Sequence, residues 1–407
     1  MFYSPFFYNM KVLYIHHCGI FGGASKSLLE LIRAFPHGKV SPVIITPKGS
    51  VAPIFSDLPN SRVITVSGVS IFDHTRIGHY RYHRWAILLR EIFYFPGTVM
   101  ALLKVKKHIK DIDIIHLNDI CYLSVLLLVK WIWKKPVIMH ARAVQETKKG
   151  QLRRKSYKFC LKKYVDQVIA IDQNVYNSLP YTDNAVVIHN GMSVSNENNP
   201  SCHEEIPQFS KQRPLKILFI GNLLKHKGIL ELIGAAKRCQ DANLNVEFTV
   251  VGPTDYSKSF RSSVLSLLGL QTNVTKEVFQ RIETNQIKNV KFVGFQERII
   301  PYIENTDVIC FPSYFNAVGR PVIEGALLHR PSIVALDQPI DDTFVNKKTG
   351  LACKAKNVDD LLRGIVFFYE NPHQIQTMGE CAYQLAKQNF DIRKNAQKIL
   401  DIYQQYS

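Results

Sequence analysis

The sequence KILFIGNLLKHKG, residues 216–228, has the pattern of one strand followed by one helix. The apolar run Lys216–Ile220 leads into a loop that contains a glycine, and Lys227 opens a segment of helical period just before Gly228. A short apolar run that passes into a helical period is typical of the strand–helix unit of a parallel sheet. We therefore expect a buried parallel strand at Lys216–Ile220, with its helix after the loop.

The same strand–helix unit recurs along the chain in two series. The first series consists of Val12–His16, Val43–Thr46, Val63–Val66, Ile112–Leu117, Val137–His140, Val168–Ile171 and Ala185–His189. The second series consists of Lys216–Ile220, Val246–Val251, Val290–Val293, Val308–Phe311 and Ser332–Ala335. Strands that alternate with helices predict an α/β fold of two parallel sheets wound by right-handed crossovers.

The length of 407 residues suits two domains and is too great for one ordinary core. Between the two series, Ser193–Pro214 has three prolines and little periodicity, so we set an interdomain linker at 196–213. The predicted Rossmann-like lobes are 1–195 and 214–390, with a ligand cleft between the carboxyl ends of their sheets. The segment Pro253–Lys288 is longer than a crossover requires and is predicted to be a helical insertion.

Composition indicates a globular protein, because 46% of the residues are hydrophobic and 21% are charged. The apolar stretches Cys121–Trp133 and Trp85–Leu103 are interrupted, the second by Pro96-Gly97, and both fall short of a spanning helix of about 20 residues. Met1–Met10 lacks the basic flank of a secretory signal, so we expect a cytoplasmic protein. The eight cysteines form no Cys-x-x-Cys pair, and neither a zinc site nor a disulfide framework is expected.

The positive charge is concentrated in the first half of the chain. The net charge is +15 over residues 1–195 and +3 over residues 196–407. Two basic runs, Arg76–Lys110 and Lys148–Lys163, account for much of this excess, and large apolar residues lie within the first of them. Basic residues between apolar ones suit an anionic membrane surface. The same residues would also suit nucleic acid, or a solvated face without a ligand.

Four motifs follow one another in the second half: ILFIGNLLKHKG (217–228), VKFVG (290–294), DVICFPS (307–313) and VGRPVIEG (318–325). In this order they resemble the donor lobe of the family 4 glycosyltransferases, which are retaining GT-B enzymes that use nucleotide sugars. The first half is similar through GGAS (22–25), His140 and VIHNG (187–191). The resemblance covers nearly the whole chain and implies that a carboxyl-terminal helix at 391–407 packs back on the first lobe.

The donor lobe needs positive groups that face the pyrophosphate, whose charge grows as the glycosidic bond breaks. Lys227 fits this need, although a solvated lysine at a helix start is the alternative. The family pattern places an arginine directly after the glycine of the first motif, where this chain has Asn222. Either Arg320, next to Gly319 in the glycine turn, supplies the missing cation, or the donor contact differs.

The paired carboxylates of the family are present only in part. The positions separated by seven residues are Asn316 and Glu324, so only the second is acidic. By resemblance, Glu324 accepts hydrogen bonds from the nucleotide ribose, against the alternative of an exposed glutamate on a helix face. Asn316 can bond a sugar hydroxyl but cannot serve as a nucleophile, which argues against covalent double displacement and agrees with front-face retention.

In the first lobe, Gly22 and Gly23 would allow the donor to approach the backbone closely. By resemblance, His140 contacts the transferred sugar or the acceptor, and Arg142 follows it by two residues. The pair His16 and His17 suggests a metal site, but we find no acidic or cysteine cluster to complete it. No metal and no other cofactor is therefore expected.

By this resemblance, the chain is expected to be a retaining glycosyltransferase that uses a UDP-sugar or another nucleotide sugar. Its expected acceptor is a glycan, in particular a lipid-linked one in bacterial surface-polysaccharide synthesis, at the inner face of the cell membrane. The residues expected to meet acceptor or membrane are Arg84, Arg142, Lys148, Arg153, Arg154 and Lys155. A non-catalytic membrane- or polysaccharide-binding scaffold is the alternative, and a nucleic-acid binder is supported only by the charge.

Overall fold

The computed structural model describes residues 9–73, 85–145, 151–192, 212–254, 274–315 and 317–407. The chain forms two compact units, the first from Met1–Ser193 with Phe390–Ser407 and the second from Val194–Asn389. Each unit is built on one parallel sheet, which confirms the predicted fold class. Most of the predicted linker lies outside the described residues, as does the first part of the predicted insertion.

The first unit contains a seven-stranded sheet in the order β3-β2-β1-β4-β5-β6-β7. Its strands are β1 (Met10–Ile15), β2 (Val40–Pro47), β3 (Arg62–Val66), β4 (Ile114–Leu117), β5 (Val137–Ala141), β6 (Gln167–Ala170) and β7 (Ala185–Val187). The helices described in this unit are α1 (Gly23–Ala34), α2 (Val51–Ser56), α3 (Trp85–His108), α4 (Leu123–Ile132), α5 (Gln151–Tyr164), α6 (Gln173–Ser178) and α13 (Ile392–Tyr406). Chain order reverses between β1 and β4, and ligands of doubly wound sheets bind at such a point.

Both faces of this sheet are buried, which explains why its strands are continuous apolar runs. On one face, Leu13 and Ile15 pack with residues of α3, α4 and α5. On the other face, Val12 and Tyr14 pack with residues of α1, α2 and α13. The alternation along β1 therefore assigns α3, α4 and α5 to one side of the sheet.

Helix α3 corrects one expectation from the sequence. The Pro96-Gly97 pair does not interrupt the apolar stretch, because a single helix of 24 residues runs through it. Pro96 lies on the exposed side of the helix, where a carbonyl that loses its helical hydrogen bond can bond to water. By length and composition α3 would suffice to cross a membrane, although a core helix can meet the same criterion. Its buried side includes Glu91, which accepts a hydrogen bond from the backbone of Ile71.

The carboxyl-terminal helix α13 belongs to the first unit. The side chain of Asp391 caps it by accepting hydrogen bonds from the Arg393 and Lys394 amides. Its apolar side is buried against the sheet and α1. Near the far end of the helix, Tyr403 is fully buried, and its hydroxyl oxygen lies 2.6 Å from the Nδ1 atom of His116 in β4.

The second unit contains a six-stranded sheet in the order β10-β9-β8-β11-β12-β13. Its strands are β8 (Leu215–Ile220), β9 (Val246–Val251), β10 (Val290–Phe292), β11 (Val308–Phe311), β12 (Ser332–Ala335) and β13 (Gly350–Cys353). The α-helices described are α7 (Ile229–Asp241), α8 (Thr275–Thr284), α9 (Ile300–Glu304), α10 (Arg320–Ala326), α11 (Val358–Glu370) and α12 (His373–Asn389). The expected strand at Lys216–Ile220 is β8, at the centre of this sheet, and α8 lies within the predicted insertion.

The core of the second unit is divided by its sheet. On one side, residues of β8 such as Phe219 pack with α7, α11 and α12. On the other side, smaller clusters form around Leu218 and around Phe311. The Phe311 cluster lies at the carboxyl end of β11, beside the turn that begins α10. It therefore supports the loops in which the predicted donor motifs lie.

Candidate functional site

The loop after β8 is held by a glycine that no other residue can replace without strain. Lys225–Lys227 form one turn of 3₁₀ helix, and Gly228 follows with φ of 77° before α7 begins. A Cβ atom at Gly228 would overlap the carbonyl oxygen of Pro312, just after β11. Both the left-handed conformation and the close approach require glycine. This corner places Lys227 next to the end of β11.

Phe311 connects Lys227 to the glycine turn. The Lys227 Nζ atom lies 5.5 Å from the centroid of the Phe311 ring. A Cβ atom at Gly319 would overlap the outer carbon atoms of the same ring, so this turn also packs directly on Phe311. The structure thus brings together two of the predicted donor-binding motifs, whose residues Lys227 and Gly319 are 92 positions apart in the chain.

Glu324 and Arg320 form a buried ion pair on α10. The Arg320 Nη2 atom lies 3.2 Å from the Glu324 Oε1 atom, one helical turn away. Glu324 is only 6% exposed, so the alternative of an exposed helix-face glutamate is wrong. A buried carboxylate is costly unless it is paired or hydrogen-bonded, and Arg320 meets part of this requirement. Arg320 therefore supports Glu324 whether or not it also contacts phosphate.

Of the two residues that depart from the family pattern, Asn222 lies among the described residues. Asn222 follows β8 and is exposed, and its backbone carbonyl accepts a hydrogen bond from Leu224. Asn316 lies outside the described residues. Its neighbours Ser313 and Tyr314 both bond to the carbonyl of His226, which ties the loop after β11 to the loop after β8.

Sequence reasoning missed a polar group beside this corner. The Tyr314 hydroxyl donates a hydrogen bond to the Glu231 Oε1 atom at 2.7 Å, and burial raises the pKa of this tyrosine. Burial and the neighbouring Lys227 lower the pKa of His226, whose ring packs on Phe315. No spacing in the sequence links Glu231 to Tyr314, because the first turn of α7 meets the loop after β11 only in the folded unit.

In the first unit, polar side chains at the ends of the central strands form a chain of hydrogen bonds. The His16 Nε2 atom lies 2.9 Å from the Ser25 hydroxyl, and its Nδ1 atom lies 2.9 Å from the Asn118 amide. Arg142 continues the chain, because its Nε donates to the Asn118 Oδ1 and its Nη1 donates to Asn190. These residues follow β1, β4, β5 and β7, so the network lies at the carboxyl edge of the sheet.

His140 lies in this network and is 2% exposed. Its Nδ1 atom is 3.4 Å from Arg142 Nη2, and among the described residues its buried Nε2 atom has no hydrogen-bond partner. Burial lowers the pKa of His140 well below its ordinary value, and the charge of Arg142 acts in the same direction. The imidazole is therefore neutral at pH 7, with one nitrogen available to a hydroxyl group but no positive charge for a phosphate.

Arg142 is 7% exposed, so the structure assigns it to the interior and not to a membrane-facing surface. Arg153 is also engaged, in an ion pair with Asp73 at 2.7 Å. Arg154 and Lys155 are exposed on α5. The two remaining predicted contacts, Arg84 and Lys148, lie outside the described residues.

The glycine pair Gly22 and Gly23 is exposed at the start of α1. A Cβ atom at Gly22 would meet nothing within 4 Å, so this unit itself does not require glycine there. Space for a ligand beside Gly22 is therefore available.

Three potential metal ligands lie close together near the end of β1. His17, Asp119 and Cys121 offer ligand atoms that lie within 4.8 Å of one another, so folding does bring an acidic residue and a cysteine to the histidine pair. The His17 Nδ1 atom is hydrogen-bonded to Tyr122, and Asp119 accepts a bond from the Ile120 amide. These residues could bind a cation, and the absence of a metal requirement stays a prediction.

Comparison with protein families matches both halves of the chain. Residues 203–385 match the family described as "Glycosyl transferases group 1". Residues 21–196 match the family described as "Glycosyltransferase Family 4". The matched ranges contain both groups of residues described above.

Two relatives with assigned names are similar to this chain over part of their length. The N,N'-diacetylbacillosaminyl-diphospho-undecaprenol alpha-1,3-N-acetylgalactosaminyltransferase of Campylobacter jejuni is 25% identical over 187 residues, which are 46% of this chain and 44% of that protein. The capsular polysaccharide biosynthesis glycosyltransferase CapH of Staphylococcus aureus is 23% identical over 270 residues, 63% of this chain and 66% of CapH. The chain thus matches less than two thirds of either relative.

The fold is that of solved glycosyltransferase structures. HepE of Anabaena, crystallised with UDP and glucose, superposes with a TM-score of 0.72 at 19% identity, over 98% of this chain and all of HepE. At this identity the likeness shows a shared fold, which is the expected GT-B fold.

Proposed function

The chain belongs to the family 4 glycosyltransferases, and from this membership we propose that it transfers a sugar from a nucleotide donor to a glycan, with retention of anomeric configuration. The observation that carries the proposal is the grouping of Lys227, Gly319 and the buried Arg320–Glu324 pair around the carboxyl end of β11. The second unit binds the nucleotide diphosphate there. The strand-end network around His140 contacts the sugar or the acceptor.

The charges of the second unit suit a departing diphosphate. As the bond between the anomeric carbon and the phosphate oxygen breaks, negative charge grows on that oxygen, and Lys227 stabilises it. Glu324 accepts hydrogen bonds from the ribose hydroxyls, and Arg320 holds this carboxylate in place. Lys227 thus acts mainly in the transition state, whereas Glu324 acts mainly in nucleotide binding.

The proposed retaining step has no covalent enzyme intermediate. The acceptor hydroxyl attacks the anomeric carbon on the face that the diphosphate leaves, and the leaving phosphate oxygen takes the hydroxyl proton. Asn316 stands where the family pattern has a carboxylate, and an amide cannot be the nucleophile of a double displacement. The neutral His140 offers a hydrogen bond to a hydroxyl group in this step.

The donor in this proposal is a UDP-sugar, and the acceptor is a lipid-linked glycan of a bacterial surface polysaccharide. The crystal structure of HepE with UDP supports the nucleotide. The undecaprenol-linked substrate in the name of the Campylobacter relative and the capsular role of CapH support the acceptor. The setting is then the cytoplasmic side of the cell membrane, with the protein bound peripherally.

The test is calorimetry of the purified protein with UDP-glucose, UDP-N-acetylglucosamine, GDP-mannose and ADP-glucose, followed by NMR of the transferred sugar's anomeric proton. We expect binding of a UDP-sugar and an α-linked product from an α-linked donor. Inversion of the anomeric centre contradicts the mechanism. Preference for another nucleotide contradicts the donor assignment.

The departures at Asn222 and Asn316 favour a second candidate, a scaffold that kept the fold without catalysis. Slow hydrolysis of the bound donor distinguishes the two, because an active transferase releases the sugar to water when no acceptor is present. A protein that binds a UDP-sugar but neither hydrolyses nor transfers it is the scaffold.

A further inference from the structure

Helix α3 exposes a continuous apolar stripe. Its exposed large apolar residues are Trp85, Leu89, Ile92, Phe93, Met100 and Leu103. Their spacing of three, four and seven positions places all of them on one side of the helix. From Trp85 to Leu103 the stripe is about 27 Å long, at 1.5 Å per residue. An apolar stripe of this length is unusual on the surface of a soluble protein.

Helices α4 and α5 extend this surface. Leu127 and Trp131 are exposed one turn apart on α4, and Leu152 and Phe159 are exposed two turns apart on α5. Helix α4 packs between α3 and α5, and all three lie on the same side of the sheet. Their exposed sides therefore point away from the sheet. We call this surface, from Trp85 to His108, Leu123 to Ile132 and Leu152 to Tyr164, the three-helix face.

The three-helix face is strongly basic. Helices α3, α4 and α5 contain eleven lysines and arginines and a single acidic residue, Glu91, which is buried. Exposed basic residues follow the apolar stripe at Lys104, Lys106 and Lys107, and lie beside Phe159 at Lys155, Lys158, Lys162 and Lys163. The surface thus combines apolar side chains with positive charge and no exposed negative charge.

We propose that the three-helix face lies in the surface of an anionic bilayer, with its aromatic and aliphatic side chains at the headgroup boundary and its lysines on lipid phosphates. Charge decides between this occupant and a second copy of the chain. Even when the ion-paired Arg90, Lys130 and Arg153 are set aside, two such faces would bring eight positive groups against eight. Basic residues around a large apolar area are the signature of an interfacial surface.

Helix α3 lies on the membrane in this proposal and does not cross it. Its opposite side is packed on the sheet through Ala101, Leu102 and Val105, and a crossing would strip these contacts. The same side carries Glu91, whose carboxylate accepts from the Ile71 amide and pairs with Arg90 at 2.8 Å. A paired carboxylate of this kind is expensive to move into hydrocarbon.

The inference rests on the proposed function only in so far as a lipid-linked acceptor gives the surface a role. The test is co-sedimentation of the full chain with vesicles of phosphatidylcholine alone and with about 30% phosphatidylglycerol, without nucleotide or acceptor. Its failure therefore leaves sugar transfer untouched. Failure of transfer, in turn, leaves vesicle binding untouched.

Tryptophan fluorescence reports directly on the proposed surface, since all three tryptophans of the chain lie there or beside it. Trp85 and Trp131 are exposed, whereas Trp133 is buried. A Trp85→Phe, Trp133→Phe variant leaves Trp131 as the sole reporter. We expect a blue shift of its emission on anionic vesicles and quenching by lipids brominated near the headgroup. Binding without either change overturns the insertion of α4.

Two variants separate charge from insertion. Lys155→Glu, Lys158→Glu, Lys162→Glu is expected to weaken binding to anionic vesicles at least about a hundredfold at low salt. Phe93→Ala, Met100→Ala, Trp131→Ala is expected to abolish the binding that persists at high salt. All six residues are exposed, and unchanged unfolding midpoints verify that the variants fold.

The matched controls make the same kinds of substitution in the second unit. Lys276→Glu, Lys288→Glu, Lys291→Glu removes the same charge from exposed positions there, and Phe295→Ala removes an exposed ring. Both should sediment like the parent. The proposal is overturned if the controls lose as much binding as the variants, or if the parent does not sediment with anionic vesicles. It is also overturned if the parent binds duplex DNA more tightly than vesicles at equal phosphate concentration, or if it forms a dimer that the Phe93→Ala, Met100→Ala, Trp131→Ala variant does not form.

Discussion

At the scale of single residues, the corner formed by the loops after β8 and β11 contains charged side chains in two different environments. Glu324 is buried and paired, whereas Lys227 lies on the face of Phe311. A paired carboxylate suits a ligand's hydroxyl groups, and a cation suits a group that becomes negative. The two residues are therefore expected to respond differently to mutation.

Glu324→Gln is expected to weaken UDP binding by about 1 to 3 kcal/mol, because a neutral amide replaces a charge-assisted acceptor for the ribose. Calorimetry of parent and variant measures this change. The parent should prefer UDP over 2′,3′-dideoxy-UDP, and the variant should lose this preference. Exposed Glu297→Gln is the control for the charge change. An unaltered preference for the ribose hydroxyls in Glu324→Gln contradicts the assignment.

Lys227→Ala is expected to lower kcat by about a hundredfold while UDP affinity changes only a few-fold, because the cation opposes charge that is greatest in the transition state. Lys225→Ala, an exposed lysine in the same 3₁₀ turn, is the matched control and should act like the parent. If Arg320 replaces the cation absent at Asn222, adding Arg320→Ala multiplies the loss. A double variant no slower than Lys227→Ala shows that Arg320 serves Glu324 alone.

At the scale of elements, the turn between β8 and α7 determines where Lys227 lies. Gly228 is the left-handed residue at which the 3₁₀ turn ends, and the Pro312 carbonyl occupies the space beside it. The loops after β8 and β11 are further joined by hydrogen bonds to the His226 carbonyl. Strand ends that are adjacent in the sheet thus share one loop structure.

Gly228→Ala is expected to destabilise the second unit by about 3 kcal/mol or more, because it adds a steric overlap to the cost of a left-handed alanine. Gly294→Ala is the matched control, since Gly294 has φ of 73° but nothing within 4 Å of its Cβ position. That control should cost about 1 kcal/mol. Urea unfolding measures both variants, and equal losses would show that the Pro312 contact yields without cost.

Helix α3 shows how an element can escape prediction from local signals. Pro and Gly usually end a helix, yet packing of the buried side on the sheet holds α3 together through Pro96. In the apolar helix α4, Val125, Leu126 and Val129 are buried. Leu127 and Trp131 are exposed instead, because only one side of α4 meets the sheet.

At the scale of the whole molecule, three buried neutral histidines lie in the described part of the first unit. Burial lowers the pKa of His16 and of His116 to about 3, and it lowers that of His140 as well. In the unfolded chain these groups bind protons near pH 6.5. Below that pH the unfolded chain binds more protons than the folded one, so the free energy of unfolding falls with falling pH.

Between pH 7.0 and 5.5 each of these histidines is expected to cost about 1 kcal/mol of stability in the first unit. Carboxylates hardly titrate in this window. Denaturant unfolding at both pH values measures the change, and His116→Gln should reduce it by about a third. Exposed His37→Gln is the control and should leave the pH dependence unaltered. Stability that is constant from pH 7.0 to 5.5 contradicts the neutral state of the buried histidines.

The sequence by itself determined the fold class, the family and the positions of the four motifs in the second half of the chain. It could do so because each depends on local information: the period of apolar residues along a strand or helix, and short motifs whose residues are near neighbours in the chain. The apolar run before Asn222 and the motif around Glu324 needed no tertiary structure to be identified.

Only the tertiary structure decided which polar groups meet. Phe311 contacts Lys227, Glu231 contacts Tyr314, and Arg142 contacts Asn118, although the partners are 84, 83 and 24 positions apart in the chain. The same holds for burial: Arg142, expected to meet acceptor or membrane, lies in the interior of its unit, whereas one side of α3 is exposed. Sequence period shows that a helix has an apolar side, but packing in three dimensions determines how much of that side the sheet can cover.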